Sequence, residues 1–375
     1  MDSTVTPWEV KGDIDYDKLM RDFGVSPLRG LPPTMSEHIL VRRGILFAQR
    51  DLKRTLDAAK DGKPFAMMTG LMPTGTIHIG HLLVAMQMKL FQDLGAKLFI
   101  AVADVEAYHA RGQSLEDSRR IALEQYVPSY LAMGIDPARA DIYFQSDRGS
   151  DALKSVAYYR LQNLLARHAT FNEFSAVYGE ITPGKMVASL LQASDMLHPQ
   201  LPEFLGPVPV VVPVGIDQDP HLRIARDMAK RYPSHQFVPL SSTYHKFLPG
   251  LGGGKMSSSD PNSYIGVTED AKSVKKKINK YAYSGGQATV DEHRAKGGDP
   301  DVDVSYQWLR VFEEDDKKLA KIHQDYTSGA LLSGELKAIL IEKLNTFLAG
   351  HQRRREAARK QVDNYIHRAE PGKNI

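Results

Sequence analysis

The chain of 375 residues contains no cysteine. Disulfides and thiolate metal sites are therefore excluded, and a reducing compartment fits. Zinc would have to rely on histidine and carboxylate, yet the thirteen histidines include no HExxH spacing. Only His78 and His81 form a close pair at a helix start. Strong charge of one sign is also lacking, with 48 Lys and Arg against 45 Asp and Glu, a net of +3. Bulk charge thus names no partner, and nucleic-acid binding has to be argued from local patches. No run approaches the roughly 20 apolar residues that a bilayer span needs. The opening MDSTVTPWEVKGD has neither an apolar core nor a basic leader. A cytoplasmic protein with no membrane association is the expectation. What the chain does have is 42% hydrophobic residues, enough for two or three packed domains and too many for disorder.

Residues 1–62 open polar and then turn helical around LVRRGILFAQRDLKRTLDAA, an N-terminal extension. Phe65 to Thr69 reads as a buried strand, followed by a Gly/Pro loop and an amphipathic helix, HLLVAMQMKLFQDLG, ending at Gly95. KLFIAVAD comes next as a second strand, so the order is βαβ and demands a parallel sheet with a right-handed crossover. ADIYFQ and VPVVVPVG supply further strands. The expected fold class is α/β: a Rossmann-like parallel-sheet nucleotide-binding domain over 63–259 with a helical insertion at 110–180, an all-α domain over 260–358, and a closing helix at 359–375.

Two motifs carry chemistry. PTGTIHIGH, Pro73 to His81, falls where the first strand turns into its helix. Unpaired N–H groups and the positive dipole end favour phosphate oxygens there. Gly80 lets a flat purine approach the backbone, and neutral His78 and His81 each retain one N–H to donate as charge builds. GGGKMSSSD, Gly252 to Asp260, joins a glycine-rich segment to Lys255 and three hydroxyls, Ser257, Ser258 and Ser259. Lys255 is a point charge suited to departing pyrophosphate, and the hydroxyls are further donors. Met256 stands where a Walker A loop needs Ser or Thr. Taken singly, the first could be a helix-capping turn and the second a flexible linker.

Together, in this order and before a helical domain, the two motifs resemble the signature of class I aminoacyl-tRNA synthetases. The resemblance extends over nearly the whole chain to the archaeal and eukaryotic tryptophanyl branch, through DYDKLMRDFG, RRGILFAQRDL, GIDQDPHLRIARD, KMSSSDPNSYI and DYTSGALLSGELK. It implies ATP with Mg2+, L-tryptophan and tRNA(Trp) as ligands, a homodimer built on the helical insertion, and an anticodon-reading helical domain. By the same resemblance Thr74, Gly75, Gly80, Gly215, Asp217 and Met256 serve ATP. Met68, Gly70, Glu106, Gln192, Asp195 and Gln218 serve tryptophan. The catalytic set is His78, Gly80, His81, Lys255 and Ser257 to Ser259.

LLQASDML resembles the substrate helix of this branch and of its tyrosyl sibling, which makes Asp195 the candidate acceptor for the indole N–H, with Gln192 one turn before it. A cap or ion-pair partner is the other reading of Asp195. Glu106 suits the substrate ammonium, or is a surface carboxylate. Asp219 suits a helix N-cap. The branch usually presents a Tyr and a Gln to the indole where this chain has Met68 and Ala101. Met68 also counts against a tyrosyl enzyme, the nearest alternative, while the intact histidines and Lys255 count against an inert RNA-binding paralogue. For RNA, the basic runs KSVKKKINK and HQRRREAARK nominate Lys275, Lys276, Lys277, Arg353 and Arg354, although such runs are often just solvated faces.

Overall fold

The computed structural model describes residues 15–256 and 260–367, with the backbone of a hairpin formed by β1 (Thr4–Val5) and β2 (Val10–Lys11). The remaining strands are β3 (Ser26–Pro27), β4 (Leu46–Arg50), β5 (Ala66–Leu71), β6 (Lys97–Val102), β7 (Ala140–Phe144), β8 (Val210–Gly215), β9 (Ser241–His245) and β10 (Ile366–His367). They form one sheet in the order β10-β7-β6-β5-β8-β9-β4-β3. From β10 to β9 all neighbours are parallel, while β4 and β3 close one edge antiparallel. The chain leaves β5 toward β6 on one side and returns as β8 on the other. That reversal opens a crevice at the strands' C-terminal ends, where open α/β sheets bind ligands.

Alternation along the strands sorts side chains onto two faces. Met67 on β5, with Leu98, Ile100 and Val102 on β6, packs under the helix Leu82–Asp93 in a core continuous with the C-terminal helices. Met68, Phe99, Ala101 and Tyr143 share the opposite core with the helices Ala152–Leu165 and Pro183–Leu197. The second helix is the one that carries Gln192 and Asp195.

Three sequence expectations need correction. The stretch around residues 40–60 is not one helix. Gly44 takes a left-handed φ of 62° and stops the helix Ile39–Arg42, and Leu46 and Ala48 then turn inward as β4 against β9. The N-terminal extension is thus part of the main sheet. The proposed insertion at 110–180 is interrupted by β7: one helical segment is the β6–β7 crossover and the other joins β7 to β8. The closing helix over 359–375 is absent from the described part of that span. The helix Ser333–Arg359 ends there, and the chain returns through a short 3-10 turn to β10, parallel to β7.

The C-terminal helices are tied to the sheet-bearing part at several points. Arg43 donates to Asp316 and to the carbonyls of Arg310 and Glu313. Trp308, wholly buried, donates its indole N–H to the Pro249 carbonyl at 2.7 Å, at the root of the lysine-bearing loop.

Candidate active site

His78 and His81 cap their helical turn reciprocally. His78 Nδ1 accepts the Gly80 N–H at 3.2 Å, and His81 Nδ1 accepts the His78 N–H at 3.1 Å. Each acceptor nitrogen must be unprotonated, so each neutral ring carries its proton on Nε2. Burial pushes His78 down to about 2 and His81 to about 4, and the His81 ring, 3.9 Å away, adds to the lowering at His78. The pair is therefore two fixed, neutral N–H donors. Behind it, Tyr126 donates to the Thr74 carbonyl at 3.2 Å and meets the His81 ring edge-on. Gly75, with φ of 72°, makes the loop's left-handed turn.

The second motif folds onto the first. A Cβ at Gly80 would lie 3.0 Å from both the His78 ring and the Met256 sulfur, so the glycine is what lets the two segments touch. Lys255 reaches across to Asp217, with Nζ 3.5 Å from Oδ2. Ser257, Ser258 and Ser259 lie outside the described residues.

Beside these segments a cavity of about 320 Å³ opens at the β5/β8 reversal. Met68, Gly70, Glu106, Gln192, Asp195, Gly215, Asp217 and Gln218 all line it, so residues spread from 68 to 218 in the sequence converge. Thr74 and Gly75 stay in the loop outside its wall. Asp217 is buried, which raises its carboxyl, while Lys255 and Gln218 act the other way. Asp219 does not cap its helix. Its buried carboxylate is held by Arg50 at 3.0 Å and by the Tyr244 hydroxyl, because β4 brings a guanidinium to it.

Asp195 is the most constrained group in the cavity. Its Oδ1 accepts from the hydroxyls of Tyr143 at 2.8 Å and Tyr158 at 2.6 Å, and its Oδ2 accepts from Gln145 Nε2 at 2.7 Å. Burial raises its carboxyl to about 6 against the opposing effect of those three donors. Glu106 rises to about 7, through burial first and the neighbouring Asp195 second. Gln145 Oε1 meanwhile accepts the Glu106 backbone N–H at 3.2 Å.

Sequence reasoning missed Tyr143, Gln145 and Tyr158. It noted a Tyr and a Gln missing at Met68 and Ala101, and a Tyr and a Gln stand one strand over. Ala101 pairs in register with Tyr143, and Tyr143 and Gln145 face the same side. The available signal was the i, i+2 spacing within DIYFQ.

Of the nominated RNA contacts, Lys275, Lys276, Arg353 and Arg354 are exposed. Lys277 is paired with Glu269 at 2.6 Å, and Arg354 donates to the Ala132 carbonyl at 2.7 Å.

A parallel sheet with its cavity at the topological reversal, two helix-start histidines and a lysine loop folded over them define a class I aminoacyl-tRNA synthetase catalytic domain. The model for class I tRNA synthetases (W and Y) matches residues 60–349, and the chain belongs to that family. Among its relatives, the tryptophan-tRNA ligase of Methanocaldococcus jannaschii is 42% identical over 95% of this chain and 96% of its own length. That of Aeropyrum pernix is 43% identical over 94% and 95%. The crystal structure of tryptophanyl-tRNA synthetase from Aeropyrum pernix superposes with a TM-score of 0.89 at 42% identity, covering 96% of this chain and 97% of that one. The Encephalitozoon cuniculi enzyme bound to tryptophan gives 0.82 at 30% identity, covering 94% and 98%.

Proposed function

We infer that the chain is a tryptophan-tRNA ligase. It activates L-tryptophan with ATP, which carries Mg2+ as part of the substrate, and then passes tryptophan to the terminal ribose of tRNA(Trp). The observation that carries this reading is the cavity itself: a buried carboxylate, Asp195, at the closed end and a second, Glu106, on the wall, beside the neutral histidine pair. An indole has one N–H donor and no acceptor, so it suits a carboxylate that can only accept. Met68 on the neighbouring wall is apolar and offers no hydroxyl to a phenol.

In the first step a tryptophan carboxylate oxygen attacks the ATP α-phosphorus, the bond to the bridging oxygen breaks, and pyrophosphate leaves. Asp195 accepts the indole N–H and Glu106 holds the ammonium. His78 and His81 direct Nε2–H donors at phosphate oxygens as charge develops, and Lys255 moves from Asp217 to the leaving pyrophosphate. In the second step a ribose hydroxyl of the tRNA attacks the acyl carbon and AMP departs. Lys275, Lys276 and Arg353 form the exposed basic surface that suits RNA phosphates.

The test is exchange of labelled pyrophosphate into ATP. Tryptophan-dependent exchange, with tyrosine inactive, is expected. Exchange with tyrosine alone would transfer the assignment to the tyrosyl branch, and none with either would leave a non-catalytic paralogue.

A further inference from the structure

His245, the last residue of β9, lines the cavity but belongs to neither motif. Its Nδ1 lies 3.1 Å from Gln87 Nε2, on the helix that follows the histidine pair. The same amide nitrogen donates to the Leu83 carbonyl at 3.3 Å, and Gln87 Oε1 accepts from the Thr243 hydroxyl at 3.2 Å. Reversing the amide would face Oε1 to the Leu83 carbonyl, acceptor against acceptor, so the orientation is fixed by its neighbours. An amide nitrogen donates and does not accept. His245 Nδ1 must therefore accept, and its ring must be neutral with the proton on Nε2. A proton on Nδ1 would set N–H against N–H. Burial acts in the same direction, pushing this histidine down to about 4. Among the described residues Nε2 has no hydrogen-bond partner.

What faces this donor is also defined. His245 pairs in register with Gly215 on β8. A Cβ at Gly215 would lie 2.6 Å from Asp217 Oδ1 and 3.2 Å from the Phe247 ring, so the carboxylate sits directly over the position beside His245. Lys255 and Gln218 both approach Oδ2, the other oxygen. An acceptor-only carboxylate next to a donor-only imidazole matches a hydroxyl, which gives its proton to one and takes a hydrogen bond from the other. A phosphate oxygen, having only acceptors, would be repelled by Asp217.

We propose that His245, held in its Nε2–H tautomer by Gln87, is a nucleotide-positioning residue that donates to a ribose hydroxyl of ATP while Asp217 accepts a hydrogen bond from that hydroxyl. The proposal rests on the assignment of this cavity to ATP and tryptophan. It makes Gln87 a positioning residue that acts only through His245.

The test measures tryptophan-dependent pyrophosphate exchange with ATP, 2′-deoxy-ATP and 3′-deoxy-ATP. His245→Phe should raise KM for ATP about 2- to 13-fold, the worth of one neutral hydrogen bond, and leave KM for tryptophan unchanged. The wild type should lose a similar factor with one of the two deoxy analogues, and with that analogue His245→Phe should cost nothing more. His245→Gln, whose amide nitrogen can stand near the lost Nε2, should recover part of the affinity and guards against a mere packing defect. Gln87→Leu should raise KM for ATP in the wild type and have no effect in the His245→Phe background. An equal penalty with ATP and both analogues, or a loss confined to kcat or to KM for tryptophan, overturns the proposal and leaves the cavity assignment standing. Absence of tryptophan-dependent exchange in the wild type removes the cavity assignment and the proposal with it.

Discussion

Gln145 donates its amide N–H to Asp195 Oδ2 at 2.7 Å while its Oε1 accepts the backbone N–H of Glu106 at 3.2 Å. One side chain at the end of β7 thus ties the carboxylate assigned to the indole to the turn that carries the carboxylate assigned to the ammonium. The spacing between the two carboxylates is thus set by the protein itself, which is the preorganisation that positioning catalysis requires.

Replacing Asp195 by Ala should lower kcat/KM for tryptophan about 10- to 100-fold, because the indole N–H is left buried without an acceptor. KM for ATP should hardly move. The hydroxyls of Tyr143 and Tyr158 lose their common acceptor as well, so the melting temperature should also fall. Tyr158→Phe removes a single donor and keeps the carboxylate, and its kinetic defect should be several-fold smaller. Steady-state kinetics on both variants checks this, and an Asp195→Ala enzyme with normal tryptophan kinetics would take Asp195 out of the pocket.

The raised carboxyls give a pH dependence of definite sign. Glu106, pushed to about 7, holds an ammonium only when ionised, so kcat/KM for tryptophan should rise with pH through about 7 and then level off. His78 and His81, at about 2 and about 4, stay neutral and add no limb above pH 5. Stability runs the other way. A carboxyl raised in the folded state contributes stability that is present in acid and lost as pH climbs through its folded value, about 6 for Asp195 and about 7 for Glu106. Bound tryptophan should therefore raise the melting temperature more at pH 8 than at pH 5.5, and Glu106→Gln should flatten both the kinetic limb and that difference.

The first βα unit and the two motifs were legible in the sequence because their signals are local: a strand pattern, a glycine turn, a capped helix. The edge strands were not. β4 is read as helix because its flanks are helical, and only pairing with β9 decides otherwise. β10 is two residues that acquire strand character solely by lying beside β7. The site divides in the same way. Asp195 was visible from its helix motif, whereas Tyr143, Gln145 and Tyr158 matter because of contacts spanning 37 to 52 positions. Asp219 illustrates the converse. Its place at a helix start suggested a cap, and the distant Arg50 claimed its carboxylate instead.

That Arg50–Asp219 pair joins the antiparallel edge to the helix leaving β8, and Asp219 is fully buried. Removing one partner of a buried pair strands the other charge, so Asp219→Ala should cost about 3 to 5 kcal/mol. Tyr244 would lose its acceptor too. Chemical denaturation of the purified variant tests the magnitude. A change under about 1 kcal/mol would mean that Arg50 finds water or another acceptor.

Exposed apolar side chains recur on the helices between β7 and β8: Leu153 at 77% exposure, Val156 and Phe171 each at 59%, and Leu164 at 46%. Burying them in a partner would stabilise an association, so a homodimer through these helices is a proposal that substitution can test. Phe171→Arg with Leu153→Asp should convert a dimer into a monomer in analytical ultracentrifugation while leaving the far-UV circular dichroism unchanged. A wild-type chain that sediments as a monomer at micromolar concentration would refute the dimer directly.

Among the described residues of the loop, Lys255 is the cation that contacts the cavity wall, through Asp217. Its Nζ also lies 5.2 Å from the centre of the Phe247 ring, so it sits between a carboxylate and an aromatic face. Neither contact is made to the reacting atoms, and the lysine has to leave both to meet pyrophosphate. Lys255→Ala should therefore act on the step rather than on binding. A fall in kcat of about 10²- to 10³-fold is expected from losing one charge-stabilising donor at the transition state, with KM for ATP changed by less than about threefold. Asp217→Asn weakens the contact with Lys255 and also replaces the acceptor proposed for the ribose hydroxyl, so its defect should appear in KM for ATP while kcat changes little. Should Lys255→Ala raise KM for ATP and spare kcat, the lysine would be a ground-state binder, and charge stabilisation would fall to the histidine pair alone.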